Sequence, residues 1–463
     1  MTEKQTTEDV DILLGNPKKA ILTMVVPIAV AMMVETANNL IDAFWVVGLG
    51  SDAMAAVGLI FPLFFIMISV GNGIGIGASF AVSKNIGSGD KTSADRTAAQ
   101  AIMLTVIGSM LISVFLFLTQ RQLLESMGAG DTIGLCLDYV MPLVLFSPFI
   151  LLNVVITNLL RSEGAAKKAM ITQIFAAVIN MILDPFFIYD YGLGLGIAGA
   201  AWATIIAMLC SLLLLLYWFL IKRNTYLDIR LKGFRFERKS DADILRVGIP
   251  ASSGMLFMSV ASMMMNAIII MTGGIDGVAV YSSTWRLLQM LMIPMMAVGL
   301  AIVPVCAAAY GAKRYDKVKT AYYYSLKISV LVMIVIAVLT ALFADYLVMI
   351  FTYSESTIPL RDEMVSCLRL FCIFLPFTSL GFVSSGFFES LGMGVKSLIS
   401  MVIWSGLQVP TCYILAIMVG TLTSVWYGIV ITEIIGPVIM VIWGLMVMYA
   451  LMSRRTEVRS AEG

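Results

Sequence analysis

Uninterrupted apolar runs dominate the chain. Residues 53–83, 97–120, 139–160, 191–221, 247–275, 287–312 and 434–453 contain no Asp, Glu, Lys or Arg, and the run 397–432 is long enough for two helices. A hydrocarbon core about 30 Å thick takes about 20 apolar residues per helix. With breaks placed at Gly, Pro and charge clusters, the pattern predicts helices at 20–44, 54–83, 94–119, 132–162, 166–189, 195–221, 242–272, 278–311, 317–344, 364–391, 395–419 and 424–451. The predicted fold class is therefore an all-α integral membrane protein with twelve transmembrane helices.

Composition strengthens that reading. The 463 residues are 60% hydrophobic and 13% charged, against about 25% charged in ordinary soluble chains. Residues 1–19 are polar and lack a short apolar stretch ending in a cleavage site, so the first helix is expected to stay in the mature protein. There is no histidine, which excludes histidine-based catalysis. The six cysteines form no CxxC pair and argue against a zinc site or a disulfide framework. No nucleophile motif points to an enzyme.

The net charge of +1 says little, whereas the placement of charge says more. Lys18, Lys19, Lys84, Lys91, Arg96, Lys167, Lys168, Lys313, Arg314, Lys317, Lys396, Arg454 and Arg455 fall on one side of a twelve-helix plan, and the loop at 222–246 adds eight more basic residues. The opposite loops carry Asp52, Asp131, Asp190, Asp276, Asp345, Glu355, Asp362 and Glu363, with Arg121 and Arg361. Basic residues concentrate on the cytoplasmic side, so both termini are expected there, in a multi-pass protein of the cell membrane.

The basic loop lies at the chain midpoint and separates two similar halves. ILTMVVPIAV at 21–30 resembles ILRVGIPASS at 244–253, GSDAMAAVG at 50–58 resembles GIDGVAVYS at 274–282, and NIGSGDK at 85–91 parallels AYGAKRY at 309–315. Further on, Pro148 pairs with Pro376 and LLRSEGAAKK at 159–168 with FFESLGMGVK at 387–396. Two six-helix lobes related by a pseudo-two-fold axis follow: residues 1–221, a connecting loop at 222–241, and residues 242–463. Transporters built from such repeats bind substrate and ion near the midplane.

Ionisable groups inside membrane helices are costly and mark functional sites. On the first helix Glu35, Asn38, Asn39 and Asp42 follow helical spacing, and on the fifth Gln173, Asn180 and Asp184 share a face. Asp184 precedes Pro185, whose missing N–H frees a carbonyl in the preceding turn beside the carboxylate. The fourth helix adds Asn153, Thr157, Asn158 and Arg161 at helical spacing. The repeat mates of Asp42 and Asp184 are Asn266 and Val409, so the acids belong to the first half alone. In the second half Arg286 and Glu433 are candidates for a charge pair or a cavity lining. Methionines such as Met263, Met264, Met265, Met290, Met292, Met295 and Met296 offer a pliable apolar wall or plain core filling.

With NNLIDAFWVVGLGSDAMAAVG in the first hairpin, NIGSGDK, LLRSEGAAKKAM, NMILDPFFIY with GIAGAAWAT, and VGIPAS opening the second half, the chain resembles the multidrug and toxic compound extrusion (MATE) transporters, its archaeal and DinF-like branch above all. The resemblance implies a V-shaped pair of lobes that alternates between inward- and outward-open states. Such a protein is a secondary antiporter exporting organic, cationic or amphipathic compounds in exchange for H+ or Na+, with no cofactor. It implies a proton or cation site at Asp42, Asn180, Asp184 and Thr204, the same four residues holding Na+ if sodium is the coupling ion. It also implies contacts to substrate or protons at Asn38, Tyr139 and Asn158.

Glu35, Asn39 and Asn153 join them as candidates for the substrate cavity. Expected partners are small organic substrates and bilayer lipid, not nucleic acid, around a monomer. Two departures stand out: no mid-membrane acid in the seventh or tenth helix, and Asn38 with Glu35 where the family is less polar. The alternative class, a flippase for a lipid-linked oligosaccharide of the same superfamily, calls for a cationic cavity, and the inward faces here are acidic or neutral.

Overall fold

The computed structural model describes residues 7–229, 234–352 and 358–462. Glu355 and the side chains of Arg454 and Arg455 lie outside the described residues. Among the described residues the secondary structure is helical throughout, the solution that satisfies every backbone polar group within its own segment in a medium without water. Ten helices are long and apolar enough to cross a membrane, and twelve spans result when each of two bent pairs is one span.

Contacts divide the chain into two compact units, Met1–Ser252 and Ser253–Gly463. The first holds α1 (Glu8–Leu14), α2 (Pro17–Val47), α3 (Ser51–Ser88), α4 (Lys91–Ser126), α5 (Ile133–Leu145), α6 (Ser147–Ser162), α7 (Ala166–Ile188), α8 (Ile197–Leu216) and the opening turns of α9 (Arg238–Leu291). The second holds the rest of α9 with α10 (Ile293–Gly311), α11 (Tyr315–Leu342), α12 (Ala344–Val348), α13 (Arg361–Phe371), α14 (Leu375–Ser390), α15 (Gly394–Val419) and α16 (Leu422–Glu462). Each unit has its own apolar core, one around Leu63, Leu143 and Leu151, the other around Phe371, Phe374 and Trp426. Met265, Met292 and Met295 are buried in the second core, whereas Met263, Met264 and Met290 are exposed.

The internal repeat appears in the backbone. Left-handed φ values recur at matched positions: Gly50 and Gly274, Gly89 and Lys313, Gly164 and Gly392, Gly196 and Gly420. Gly274 breaks α9 into two helices, as Gly50 separates α2 from α3. The fourth and tenth predicted helices, expected unbroken, are bent by 55° and 53° at α5–α6 and α13–α14. Pro148 and Pro376, each at the start of the second segment, explain both bends, because proline removes one helix hydrogen bond and clashes with the preceding turn.

The loop predicted to separate the halves is strapped to the first unit. Glu163, fully buried at the end of α6, accepts the backbone N–H groups of Tyr226 (2.8 Å) and Leu227 (3.1 Å) through Oε2. Lys168 donates to the Asn224 carbonyl at 2.8 Å and pairs with Asp9 of α1 at 3.2 Å. Lys91 donates to the Tyr226 carbonyl at 2.9 Å, and Asp95 accepts the Asp228 N–H at 2.8 Å. Helix α1, which the polar start of the sequence did not predict, buries Val10 and Leu13. It lies so close that a Cβ at Gly164 would stand 2.6 Å from the Asp9 carbonyl oxygen.

Two outcomes follow from this architecture. A left-handed residue with a side chain costs about 1–2 kcal/mol, so Lys313→Gly is expected to raise the thermal midpoint in detergent, and Gly89→Val to lower it. Burial pushes the Glu163 carboxyl up from 4.5 to about 7, with the bonds from Leu227 and Tyr226 partly opposing it. A raised carboxyl binds its proton better in the folded state, so the stability it contributes is complete below pH 4.5 and is lost as pH rises to 7. Protease nicking of the 224–229 segment is expected to accelerate across that window, and Glu163→Gln to flatten the dependence.

Candidate functional site

Helix α2 packs along α7, which brings the two polar stripes read from the sequence against each other. Asn38 is the hub. Its Nδ2 donates to Asp42 Oδ2 at 3.0 Å, one turn along α2, and to Asn180 Oδ1 at 2.8 Å across to α7. Asn180 Nδ2 in turn donates to Asp184 Oδ1 at 3.1 Å. The Asp42 and Asp184 carboxyl groups are close enough to interact directly, and two carboxylates sharing a site do not both stay ionised without a cation between them. Asp184 is 1% exposed. At the acidic end the Tyr189 hydroxyl donates to the Trp45 carbonyl at 2.9 Å and pins the same two helices.

Three oxygens of this cluster, Asn38 Oδ1, Asp42 Oδ1 and Asp184 Oδ2, are buried without a partner among the described residues. Buried polar atoms are nearly always paired, so these are acceptors in want of a donor. Two carboxyls with amide oxygens suit a proton or a hard monovalent cation. No group of three or more His, Cys, Asp or Glu side chains able to hold a metal ion occurs among the described residues.

The other predicted residues fall into different roles. Tyr139 on α5 is close enough to Asp42 and Asp184 for both charges to act on its phenol. The Thr204 hydroxyl donates to the Ala200 carbonyl of its own helix at 3.0 Å and makes no bond into the cluster among the described contacts. Asn39 is exposed beside it. Asn153 donates to the Met208 carbonyl at 3.1 Å, tying α6 to α8, and Asn158 donates to the Val154 carbonyl at 3.0 Å while filling the space above Gly75. Glu35 and Arg161 form a separate charged set, with Arg161 bonded to Gln173 Oε1 at 2.9 Å.

The expected link between Arg286 and Glu433 is absent among the described residues. Arg286 is exposed. Glu433, 4% exposed, accepts from the Thr378 hydroxyl and the Gln408 amide, each at 3.1 Å, and from the Trp404 indole. Both its oxygens are satisfied, which makes it a tie between α14, α15 and α16 rather than an open site. Thr378, Gln408 and Trp404 went unnoticed in the sequence, since a hydroxyl, an amide and an indole in apolar runs signal nothing until an acid is placed beside them.

Removing the Asn38 amide strands Asn180 Oδ1 and Asp42 Oδ2. Unmet buried polar groups cost about 1–3 kcal/mol each, so Asn38→Ala is expected to destabilise the protein measurably in a detergent melt, and Asn39→Ala to leave the midpoint unchanged.

The chain is 24% identical to the multidrug export protein MepA of Staphylococcus saprophyticus, over 95% of each chain. Among solved structures, a MOP superfamily transporter from Pyrococcus furiosus, described as having a binding pocket of reverse polarity, is 38% identical. Its TM-score is 0.93, with 97% of this chain and 99% of that one covered. A multidrug resistance MATE family transporter solved in an outward-facing conformation is also 38% identical, with a TM-score of 0.93 and coverage of 97% and 100%. The MatE family model matches residues 27–186 and 250–414, taking in both repeats, and the chain belongs to the MatE family of membrane transporters.

Proposed function

We propose that the protein is a secondary multidrug exporter in which the Asp42–Asp184 pair of the first unit takes up the coupling proton or cation. The observation that carries this is the set of unpartnered buried oxygens between α2 and α7. The names of its relatives, export proteins and multidrug resistance transporters, support the cargo class of organic compounds. The distribution of basic residues favours cytoplasmic termini by the positive-inside rule.

Loading would change the helix packing directly. With a proton or Na+ between the carboxyls, α2 and α7 are held together, and without it two like charges push them apart. Pro27 lies inside α2 and supplies a bend point below the pair, so separation at Asp42 translates into bending of α2. Asn180 and Asn38 orient the carboxyls. Thr204 completes an oxygen shell for Na+ only by turning its hydroxyl away from Ala200. The all-carboxyl and amide chemistry of the cluster disfavours the flippase alternative, which needs cationic donors for a diphosphate.

Export of a cationic dye from proteoliposomes under an imposed pH gradient, then an imposed Na+ gradient, tests the reading. One gradient is expected to drive transport, and Asp42→Asn and Asp184→Asn are each expected to cut driven transport at least tenfold. Wild-type rates in both variants would show that coupling resides elsewhere.

A further inference from the structure

Lys327 stands apart from the paired lysines of the chain. Lys84, Lys91 and Lys168 each pair with an acid, and Lys396 lies over the Trp443 ring. Lys327 is exposed on α11 and has no hydrogen bond or ion pair among the described residues. It also lies where the hydrocarbon begins. Residues 328–344 carry no Asp, Glu, Lys or Arg, a helical run about 25 Å long that nearly matches a bilayer core about 30 Å thick. The Lys327 stem therefore runs along apolar surface while its ammonium reaches the headgroup layer, on the side that the basic loops mark as cytoplasmic.

The packing of α11 fixes what surrounds this lysine. One face is locked to α14: Tyr322 stacks on Phe387 with centroids 4.1 Å apart and shares a 2.9 Å hydrogen bond with Ser384. Ser325, Ser329 and Met333 are buried along the same helix. Tyr323, Lys327, Val330, Leu331 and Ile334 follow helical spacing on the neighbouring face. There they line, with Leu380 of α14, an open cleft of about 450 Å³. Its wall is apolar apart from the Lys327 ammonium and the Tyr323 hydroxyl. One turn before Tyr323, Lys319 holds its ammonium 5.9 Å from the Tyr323 ring centroid, and both residues are exposed.

We propose that this cleft binds an anionic phospholipid, whose phosphodiester pairs with Lys327 and whose acyl chain lies along Val330, Leu331, Ile334 and Leu380. The Tyr323 hydroxyl donates to a further headgroup oxygen. An ammonium at the edge of hydrocarbon is costly without a counter-charge, and α11 carries no acid after Asp316. The counter-charge has to come from outside the helix. A headgroup with net negative charge supplies it, whereas a phosphatidylcholine brings its own cation beside Lys327 and offsets its phosphate. Basic pockets between transmembrane helices on the cytoplasmic side suit such headgroups. The apolar trough below adds what a free anion cannot use.

The test titrates the detergent-purified full chain with dioleoyl phosphatidylglycerol, dioleoyl phosphatidylcholine and inorganic phosphate. Retained lipid is counted by native mass spectrometry and the thermal midpoint is followed in parallel. Phosphatidylglycerol is expected to bind about fivefold more tightly than phosphatidylcholine, the effect of one basic side chain at a membrane surface, and to raise the midpoint. Inorganic phosphate is expected to do neither. Lys327→Gln is expected to abolish the preference, Lys327→Arg to keep it, and Leu331→Ala to weaken both lipids alike. Lys222→Gln, which removes an exposed charge after α8, is expected to leave the preference unchanged.

Equal wild-type affinity for the two lipids would overturn the site. An equal loss of preference in Lys222→Gln and Lys327→Gln would do the same, because the attraction is then diffuse rather than local. A midpoint response to inorganic phosphate as large as that to phosphatidylglycerol would assign the ammonium to a free anion and overturn the lipid. Should Lys327→Gln melt early, Lys327→Arg and Leu331→Ala still decide the outcome. None of these readouts uses a gradient, so the result is independent of the export reading.

Discussion

A chain of amide-to-carboxyl hydrogen bonds, from Asp42 through Asn38 and Asn180 to Asp184, is the contact on which the first unit turns. Apolar surfaces of two membrane helices gain little by meeting, because lipid is as apolar as leucine. Helices α2 and α7 are therefore held by what lipid cannot supply: polar partners, with the Tyr189–Trp45 bond closing the acidic end. The same bonds leave one oxygen of each carboxyl unused. A tie that is nearly but not fully satisfied keeps buried acceptors open between the two helices.

The second unit shows the contrast. It repeats the bends, the left-handed turns and the proline positions of the first, yet Glu433, one of its two buried acids beside Glu389 among the described residues, has donors on both oxygens. Glu433 joins three helices and has no spare acceptor. Shared backbone geometry with divergent polar chemistry means that the duplicated scaffold sets where helices run, and that a few side chains decide which copy keeps unmet buried acceptors.

Much of the molecule was legible in the chain. The twelve spans, the repeat and the stripes of α2 and α7 all rest on local periodicity, and a membrane amplifies it because each span must be continuous and apolar. Bends at α5–α6 and α13–α14 were missed although their prolines were seen as repeat mates, since a proline in an apolar run permits a kink without requiring one. Helix α1 was missed because seven residues with only Val10 and Leu13 buried give too short a period to read.

What the sequence alone determined is the membrane class, the number of spans, the duplication and the identity of the acids that must face inward, because hydrocarbon tolerates no other arrangement. Only the tertiary structure decided which of those polar groups meet. It joined Asn38 to Asn180, kept Thr204 and Asn153 on bonds of their own, separated Arg286 from Glu433, and tied Arg161 to Gln173. Helical spacing sets the face a side chain occupies. The partner opposite depends on the packing of helices distant in the chain, which no local pattern contains.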